Sequence, residues 1–213
     1  MSVAYKISRF NRERKWKIFN KLFRLNSKVT ILDVGFSEEE YSATDNFLEK
    51  HYPHPQNITA LGIDKPNKFI KRYPKVKTVE YDGSKFPFDD KSFDICWSNA
   101  VIEHVGDRDK QLFFLKEVRR VAKSGFITTP NKYFPIEVHT RTPLIHYLPK
   151  KFFDKYLYLI GKRWATGDYM NLLSFGDIKE LLQEAKFSDY QIIKNRIFFS
   201  TLDFIIYFNE NDL

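Results

Sequence analysis

Three short runs of apolar and β-branched residues each close on or beside an aspartate. They are Val29-Thr30-Ile31-Leu32-Asp33-Val34 before Gly35, Ile58-Thr59-Ala60-Leu61-Gly62-Ile63-Asp64, and Val76-Lys77-Thr78-Val79-Glu80-Tyr81-Asp82. Runs of this kind read as strands buried on both faces of a parallel sheet. The aspartates stand 31 and 18 residues apart, which leaves room for the crossover connections that parallel neighbours need. Further strands are expected at residues 92–99 and 125–129, and helices at 12–26, 44–51 and 107–122. The last of these carries Leu112, Leu115, Val118 and Val121 at helical spacing. Strands alternating with helices predict a doubly wound, mostly parallel α/β sheet with helices on both faces.

The pattern changes after Pro130. Residues 130–173, rich in proline and aromatics, read as an elaboration laid over the strand ends. A helix at 174–185 and two strands at 190–196 and 201–208 close the chain. With 213 residues, 43% of them hydrophobic, the chain is expected to form one domain spanning 1–213. Its parts are an N-terminal helical segment (1–27), a cofactor-binding core (28–129), a substrate-side insertion or lid (130–173), and a closing helix and strand hairpin (174–213). The formal charge of +8 is spread along the chain among carboxylates, and reads as a solvated surface. The single cysteine, Cys96, excludes an intrachain disulfide and any cysteine-rich zinc site; it is expected to be a buried, inert thiol, and no metal ligand is assigned. With no apolar run suited to a signal peptide or a membrane span, the protein is expected to be cytoplasmic.

In an open α/β sheet, ligands bind beyond the carboxyl ends of the strands, and the informative residues lie there. A carboxylate at the end of the second strand, Asp64, can accept from both hydroxyls of a ribose. Asp82, followed by Gly83, can accept from an exocyclic amine such as adenine N6. Asp33 lies where an ammonium group would sit, and Ser98 and Asn99 end the fourth strand. One such aspartate is more often a helix cap or a turn former; three at successive strand ends point to a site. They suit a ligand with ribose, adenine and a cationic tail, and suit a pyrophosphate poorly because like charges repel.

With these pieces in place, the sequence resembles the class I S-adenosylmethionine-dependent methyltransferases of the type 11 group. The resemblance rests on Ile31-Leu32-Asp33-Val34-Gly35, Leu61-Gly62-Ile63-Asp64, Tyr81-Asp82-Gly83 and the stretch from Phe86 through Phe93-Asp94-Ile95-Cys96-Trp97-Ser98-Asn99 to Val101-Ile102-Glu103-His104-Val105. It implies a seven-stranded sheet whose last strand is antiparallel. It also implies S-adenosylmethionine as cofactor, held by Asp33, Gly35, Phe36, Asp64, Asp82, Gly83, Ser98 and Asn99. The family usually continues its first turn as Gly-x-Gly. Here Gly35 is followed by Phe36-Ser37-Glu38-Glu39-Glu40, so side chains and negative charge stand where a second glycine would allow close approach.

On the substrate side, His104 follows the fourth strand, and Glu137 and His139 lie in Thr129-Pro130-Asn131-Lys132-Tyr133-Phe134-Pro135-Ile136-Glu137-Val138-His139. His139 is the preferred general base, with His104 the second candidate. Glu137 would orient His139 or bind a substrate hydroxyl; a structural salt bridge is the competing reading. This segment resembles a Pro-Asn-x-x-Phe-Pro-x-Glu-x-His pattern of methyltransferase-like proteins in bacterial sugar and cell-surface polysaccharide pathways. The expected activity is therefore methyl transfer to a small-molecule or carbohydrate-type acceptor. The alternative is a degenerate methyltransferase fold serving as a binding or regulatory module. The apolar, lysine-flanked stretch at 152–160 reads as core cover in preference to a membrane-surface face. Trp164 and Tyr169 would stack on a sugar or close the pocket. A nucleic-acid substrate is disfavoured, for want of an Asn-Pro-Pro-Tyr-type motif or a compact basic stripe. A nicotinamide dehydrogenase is disfavoured because no Gly-x-Gly-x-x-Gly follows the first strand.

Overall fold

The structure, a computed structural model, describes residues 3–209. Seven strands form one sheet: β1 (Ile31–Val34), β2 (Ile58–Gly62), β3 (Lys77–Glu80), β4 (Phe93–Asn99), β5 (Ala122–Pro130), β6 (Tyr190–Ile197) and β7 (Ser200–Asn209). Their order is β3-β2-β1-β4-β5-β7-β6. The pairs among β1 to β5 are parallel, while β7 runs antiparallel to both β5 and β6. The chain travels outward from β1 to β3 and then returns to the other side of β1 for β4. The switch point, where a crevice opens above the sheet, therefore lies between β1 and β4. The doubly wound sheet expected from the sequence is present, with its antiparallel last strand.

Every residue of β1 and β2 is buried, as strands covered on both faces require. The pleat sends neighbours to opposite faces. Thus Ile31, Ile95, Phe126 and Ile205 join one core, and Leu32, Cys96, Ile127 and Ile206 the other. The first core is closed by α1 (Val3–Leu22), whose Phe19 ring meets those of Trp97 and Phe126 at 4.8 and 5.4 Å. The second is closed by α4 (Arg108–Val121) and α6 (Phe175–Glu184). Asp107 caps α4 by accepting from Lys110 N, and Ser174 with Asp177 forms a reciprocal capping box on α6. Cys96 is fully buried and burial pushes its thiol pKa up, in keeping with an inert core residue.

Three helices differ from expectation. The N-terminal helix starts well before residue 12 and ends at Leu22. The helix expected at 44–51 is only α2 (Phe47–His51). The unforeseen helix α3 (Asn67–Arg72) stands between β2 and β3; its N-terminus is capped from a distance, as described below. The insertion contains α5 (Lys150–Leu159), whose Phe153 and Leu157 pack with Ala165 and Met170 in a small third core. The insertion ties onto the strand ends through Asn171 N to Glu103 O at 2.7 Å and Lys132 N to Leu173 O at 3.0 Å. Among the described residues, no helix is long and apolar enough to cross a membrane.

Candidate active site

The turn after β1 takes a route that accommodates its missing second glycine. Gly35 adopts φ +95° and its backbone is exposed, but a Cβ there would stand 2.4 Å from Val101 Cγ2, so only glycine fits. Phe36 then turns down into the core. Its ring lies 4.6 Å from that of Phe69, in space left free by Gly62, where a Cβ would come within 2.4 Å of the ring. Phe36 was expected to touch the cofactor; its side chain is 6% exposed and is a packing residue instead. The three glutamates are likewise drawn away from the crevice. Glu38 accepts from Lys68 N and Phe69 N, capping α3, while Glu39 pairs with Lys68. Glu40 accepts from Asn46, Tyr73 and Lys50. A loop that looked obstructive in sequence is thus pinned to the α3 side.

Beyond β2 and β3 the surface is open. Asp64, Asp82 and Gly83 are exposed, as is Ile63 at 67%. Gly83 takes φ +81°, and a Cβ built on it would only touch Ile63 Cγ2 at 3.9 Å. Asp82 accepts from Ser84 N at 2.9 Å and from the Ser84 hydroxyl, contacts that hold its pKa down. Ile63, Asp82 and Gly83 therefore border one accessible face, with Asp64 next to Ile63 in the chain.

Beyond β1 the environment is closed and polar. Asp33 is buried, and its carboxyl is pushed well above the ordinary aspartate range, by burial first and by the neighbouring Glu49 carboxyl second. Glu49 is also buried and raised by burial, and neither of its carboxylate oxygens has a hydrogen-bond partner that does not require a shared proton. Arg12, reaching in from α1, feels the carboxylates of Asp45, Asp203, Glu103 and Asp33. Ser98, fully buried, spends its hydroxyl on Val34 O at 3.3 Å, and Asn99 Oδ1 accepts from Thr128 Oγ1 at 3.0 Å. These last two hold the floor together from below.

The end of β4 turns sharply. Ala100 takes φ +59°, costly for a residue with a Cβ, and its N–H bonds Thr128 O at 2.8 Å. The following single helical turn, Ile102–His104, brings Glu103 inward and His104 to the rim. Glu103 is fully buried; Oε2 accepts from Thr129 Oγ1 at 3.0 Å, whereas Oε1 has no hydrogen-bond partner. The Nε2 of His139 lies 3.6 Å from Oε1 and that of His104 4.0 Å. Burial lowers the His139 pKa, but the Glu103 carboxylate outweighs it and the net direction is upward. His104 and His139, expected near the reaction, are therefore brought together edge to face, their rings 4.7 Å apart. Glu137 is buried and its carboxylate accepts from His139 N at 2.9 Å and from Thr140 N and Oγ1, both at 2.5 Å. It shapes the turn that presents His139, and is occupied by that task. Tyr169 packs on His104, rings 4.9 Å apart, its carbonyl accepting from His104 Nδ1 at 2.7 Å.

A cofactor made of an adenosine and a cationic amino-acid tail fits these residues. The unpartnered Glu49 oxygens beside Asp33 lack a donor, which a buried ammonium supplies. The edge bearing Ile63, Asp64, Asp82 and Gly83 is exposed and so accessible to a ligand. Sequence reasoning missed Glu49, Glu103 and Arg12, which the fold gathers from distant parts of the chain.

Residues 32–127 match a family model described as a methyltransferase domain. A sarcosine/dimethylglycine N-methyltransferase of Aphanothece halophytica is 29% identical over 117 residues, 51% of this chain and 39% of that protein. The chain thus matches well under half the length of that curated relative. Among solved structures, a methyltransferase of Thermotoga maritima described as a possible histamine N-methyltransferase superposes with a TM-score of 0.60. It is 13% identical, and the match covers 97% of this chain and 93% of that one. Phosphoethanolamine N-methyltransferase 2 of Haemonchus contortus, in complex with S-adenosyl-L-methionine, gives 0.56 at 14% identity, over 85% of this chain and 38% of that one.

Proposed function

We propose that this chain, which carries a class I S-adenosylmethionine-dependent methyltransferase domain, transfers a methyl group from that cofactor to a small-molecule acceptor seated against Glu103, His104 and His139. The Asp33–Glu49 pair carries the reading: two buried acids meet where β1 ends, and neither carboxylate oxygen of Glu49, on α2, has a hydrogen-bond partner. When bound, the cofactor supplies an electrophilic methyl group for in-line displacement. Asp64 would hold the ribose, Asp82 and Gly83 the adenine edge, and the exposed backbone of Gly35 the amino-acid end. The chain's task is mainly to position the acceptor.

An amine acceptor in its free-base form needs no base, whereas a hydroxyl must lose a proton. A buried carboxylate oxygen facing two imidazoles favours a hydroxyl. His139 takes the proton, and Glu103 Oε1, 3.6 Å from its Nε2, stabilises the imidazolium that results. The segment from Thr129 to His139 supports a carbohydrate-type hydroxyl in particular, and with it a cell-surface polysaccharide pathway. Trp164 and Tyr169, with rings 5.3 Å apart at the rim, suit stacking on a sugar.

Titration calorimetry with S-adenosylhomocysteine tests the cofactor assignment: saturable binding is expected, weakened by Asp64→Ala. A folded protein giving no heat at millimolar ligand would overturn it. A binding module without catalysis is favoured by one observation, the Val101 methyl filling the space at Gly35. That reading expects no methyl transfer by a protein that still binds the ligand.

A further inference from the structure

We infer that Glu103, His104 and His139 form a binding site for a divalent transition-metal ion. One oxygen of Glu103 and one ring nitrogen from each histidine lie within 4.8 Å of one another. Two independent features distinguish the cluster from a chance meeting of polar groups. The carboxylate is fully buried, anchored through Oε2 by the Thr129 hydroxyl, and directs an Oε1 with no hydrogen-bond partner at both imidazoles. His139 Nε2, buried and also without a hydrogen-bond partner, faces it. The second feature lies behind His104. Its Nδ1 donates to Tyr169 O at 2.7 Å, which fixes the tautomer and leaves the Nε2 lone pair free on the Glu103 side. Ligating histidines are held by such outer contacts in most metal sites.

Two imidazoles and one carboxylate, with further positions open, is a donor set that suits Zn2+ and its first-row neighbours, and suits Mg2+ or Ca2+ poorly. Ligand bonds of about 2.0–2.2 Å place donor atoms roughly 3.2–3.5 Å apart. The observed separations of 3.6 and 4.0 Å from Glu103 Oε1 need only a small inward movement of the two rings. Both rings belong to short turns, 102–104 and 137–140, whose backbones are pinned by Asn171 and Glu137. The open positions face the proposed acceptor. An acceptor oxygen entering there would be polarised by the ion and release its proton to water, with His139 then a ligand in place of a base. That last role rests on methyl transfer; binding of the ion does not.

Titration of the metal-free protein with Zn2+ alone, without cofactor, tests the site. Saturable binding of one ion is expected, with affinity reduced about 100-fold or more in His139→Ala and in Glu103→Gln, and unchanged in His54→Ala. Losing a direct ligand costs more than the 10–100-fold of an outer-shell contact. Because Glu103 is buried, His139→Asn and a circular dichroism comparison guard against misfolding of Glu103→Gln. The Co2+-loaded protein should show the visible absorption of a low-coordinate site. Binding that is no tighter in the wild type than in His139→Ala, or no one-ion stoichiometry, overturns the site. Either result leaves the S-adenosylhomocysteine titration to decide the cofactor separately.

Discussion

Replacing Asp203 with asparagine should destabilise the protein far more than removing its ionic partner. Lys15 on α1 and Asp203 on β7 form an ion pair at 2.9 Å whose side chains are each only 5% exposed. Burial lowers the Lys15 pKa, and Asp203 opposes that shift. The carboxylate also accepts from Asn11 Nδ2 at 2.8 Å and from Asn195 Nδ2 at 2.5 Å. Asp203→Asn therefore leaves a buried ammonium facing amides, with Arg12 adding its own charge nearby. Breaking one side of a buried pair costs about 3–5 kcal/mol. Lys15→Met keeps both amide donors to Asp203 and the Arg12 charge that also acts on it, so the remaining carboxylate is compensated and the cost should stay near 1 kcal/mol, the scale of one hydrogen bond. The double variant should then lie close to Lys15→Met alone, giving a coupling energy of about 3–5 kcal/mol, the full cost of Asp203→Asn. Urea unfolding of the four proteins, read by far-ultraviolet circular dichroism, measures the cycle. For a chain of this size the single Asp203→Asn change should also lower Tm by roughly 6–20 °C. A cost for Asp203→Asn below 1 kcal/mol, or strict additivity in the double variant, would refute the reasoning.

Two further outcomes follow from the crevice. Asp33 holds its proton more tightly in the folded protein than in the unfolded chain, so the stability this confers is complete at acid pH and is lost as pH rises through the folded-state pKa. Asp33→Asn should thus flatten the pH dependence of unfolding and stabilise the ligand-free protein at neutral pH, while weakening S-adenosylhomocysteine; an unchanged pH profile counts against the Asp33–Glu49 proton. Gly62→Ala should cost about 1–3 kcal/mol, because its Cβ would sit 2.4 Å from the Phe36 ring. Adding Phe36→Leu should restore part of that in denaturant titration, and no restoration would mean that the ring is not what Gly62 accommodates.

The sheet could be read from the sequence because β1 and β2 are buried on both faces and largely apolar, and because Asp33, Asp64 and Asp82 stand at or beside the ends of the first three strands; β3, expected to be buried too, is an edge strand with no buried residue. Helix α3 escaped notice for the opposite reason: its cap is Glu38, some thirty residues earlier and on another element, so no local start signal precedes it. His104 and His139 were recognisable by residue type and position after strands. Glu103 was not, although it sits beside His104 in the chain, because its value lies in being buried against a histidine 36 residues on. Phe36 illustrates how local reading misleads. Its position after Gly35 suggested an obstruction, yet the space opposite Gly62 absorbs it, and only the folded register of β1 beside β2 brings the two together.

The placement of β7 between β5 and β6 carries a temporal consequence. In the order of synthesis, α1 with its Lys15 emerges 188 residues before Asp203 of β7. At roughly 5–20 residues per second, some 10–40 s separate the two on the ribosome. Throughout that interval the ammonium of Lys15 has no carboxylate from Asp203, and once β5 has emerged its edge, seven register positions long against β7, waits for its partner strand. The early chain therefore cannot seal its α1 face around a dry core, and completion of the sheet and neutralisation of that charge arrive together with the same ten-residue strand. The closure of the sheet is in this sense an event of β7, which sets when an emerging chain is most exposed to association with its neighbours.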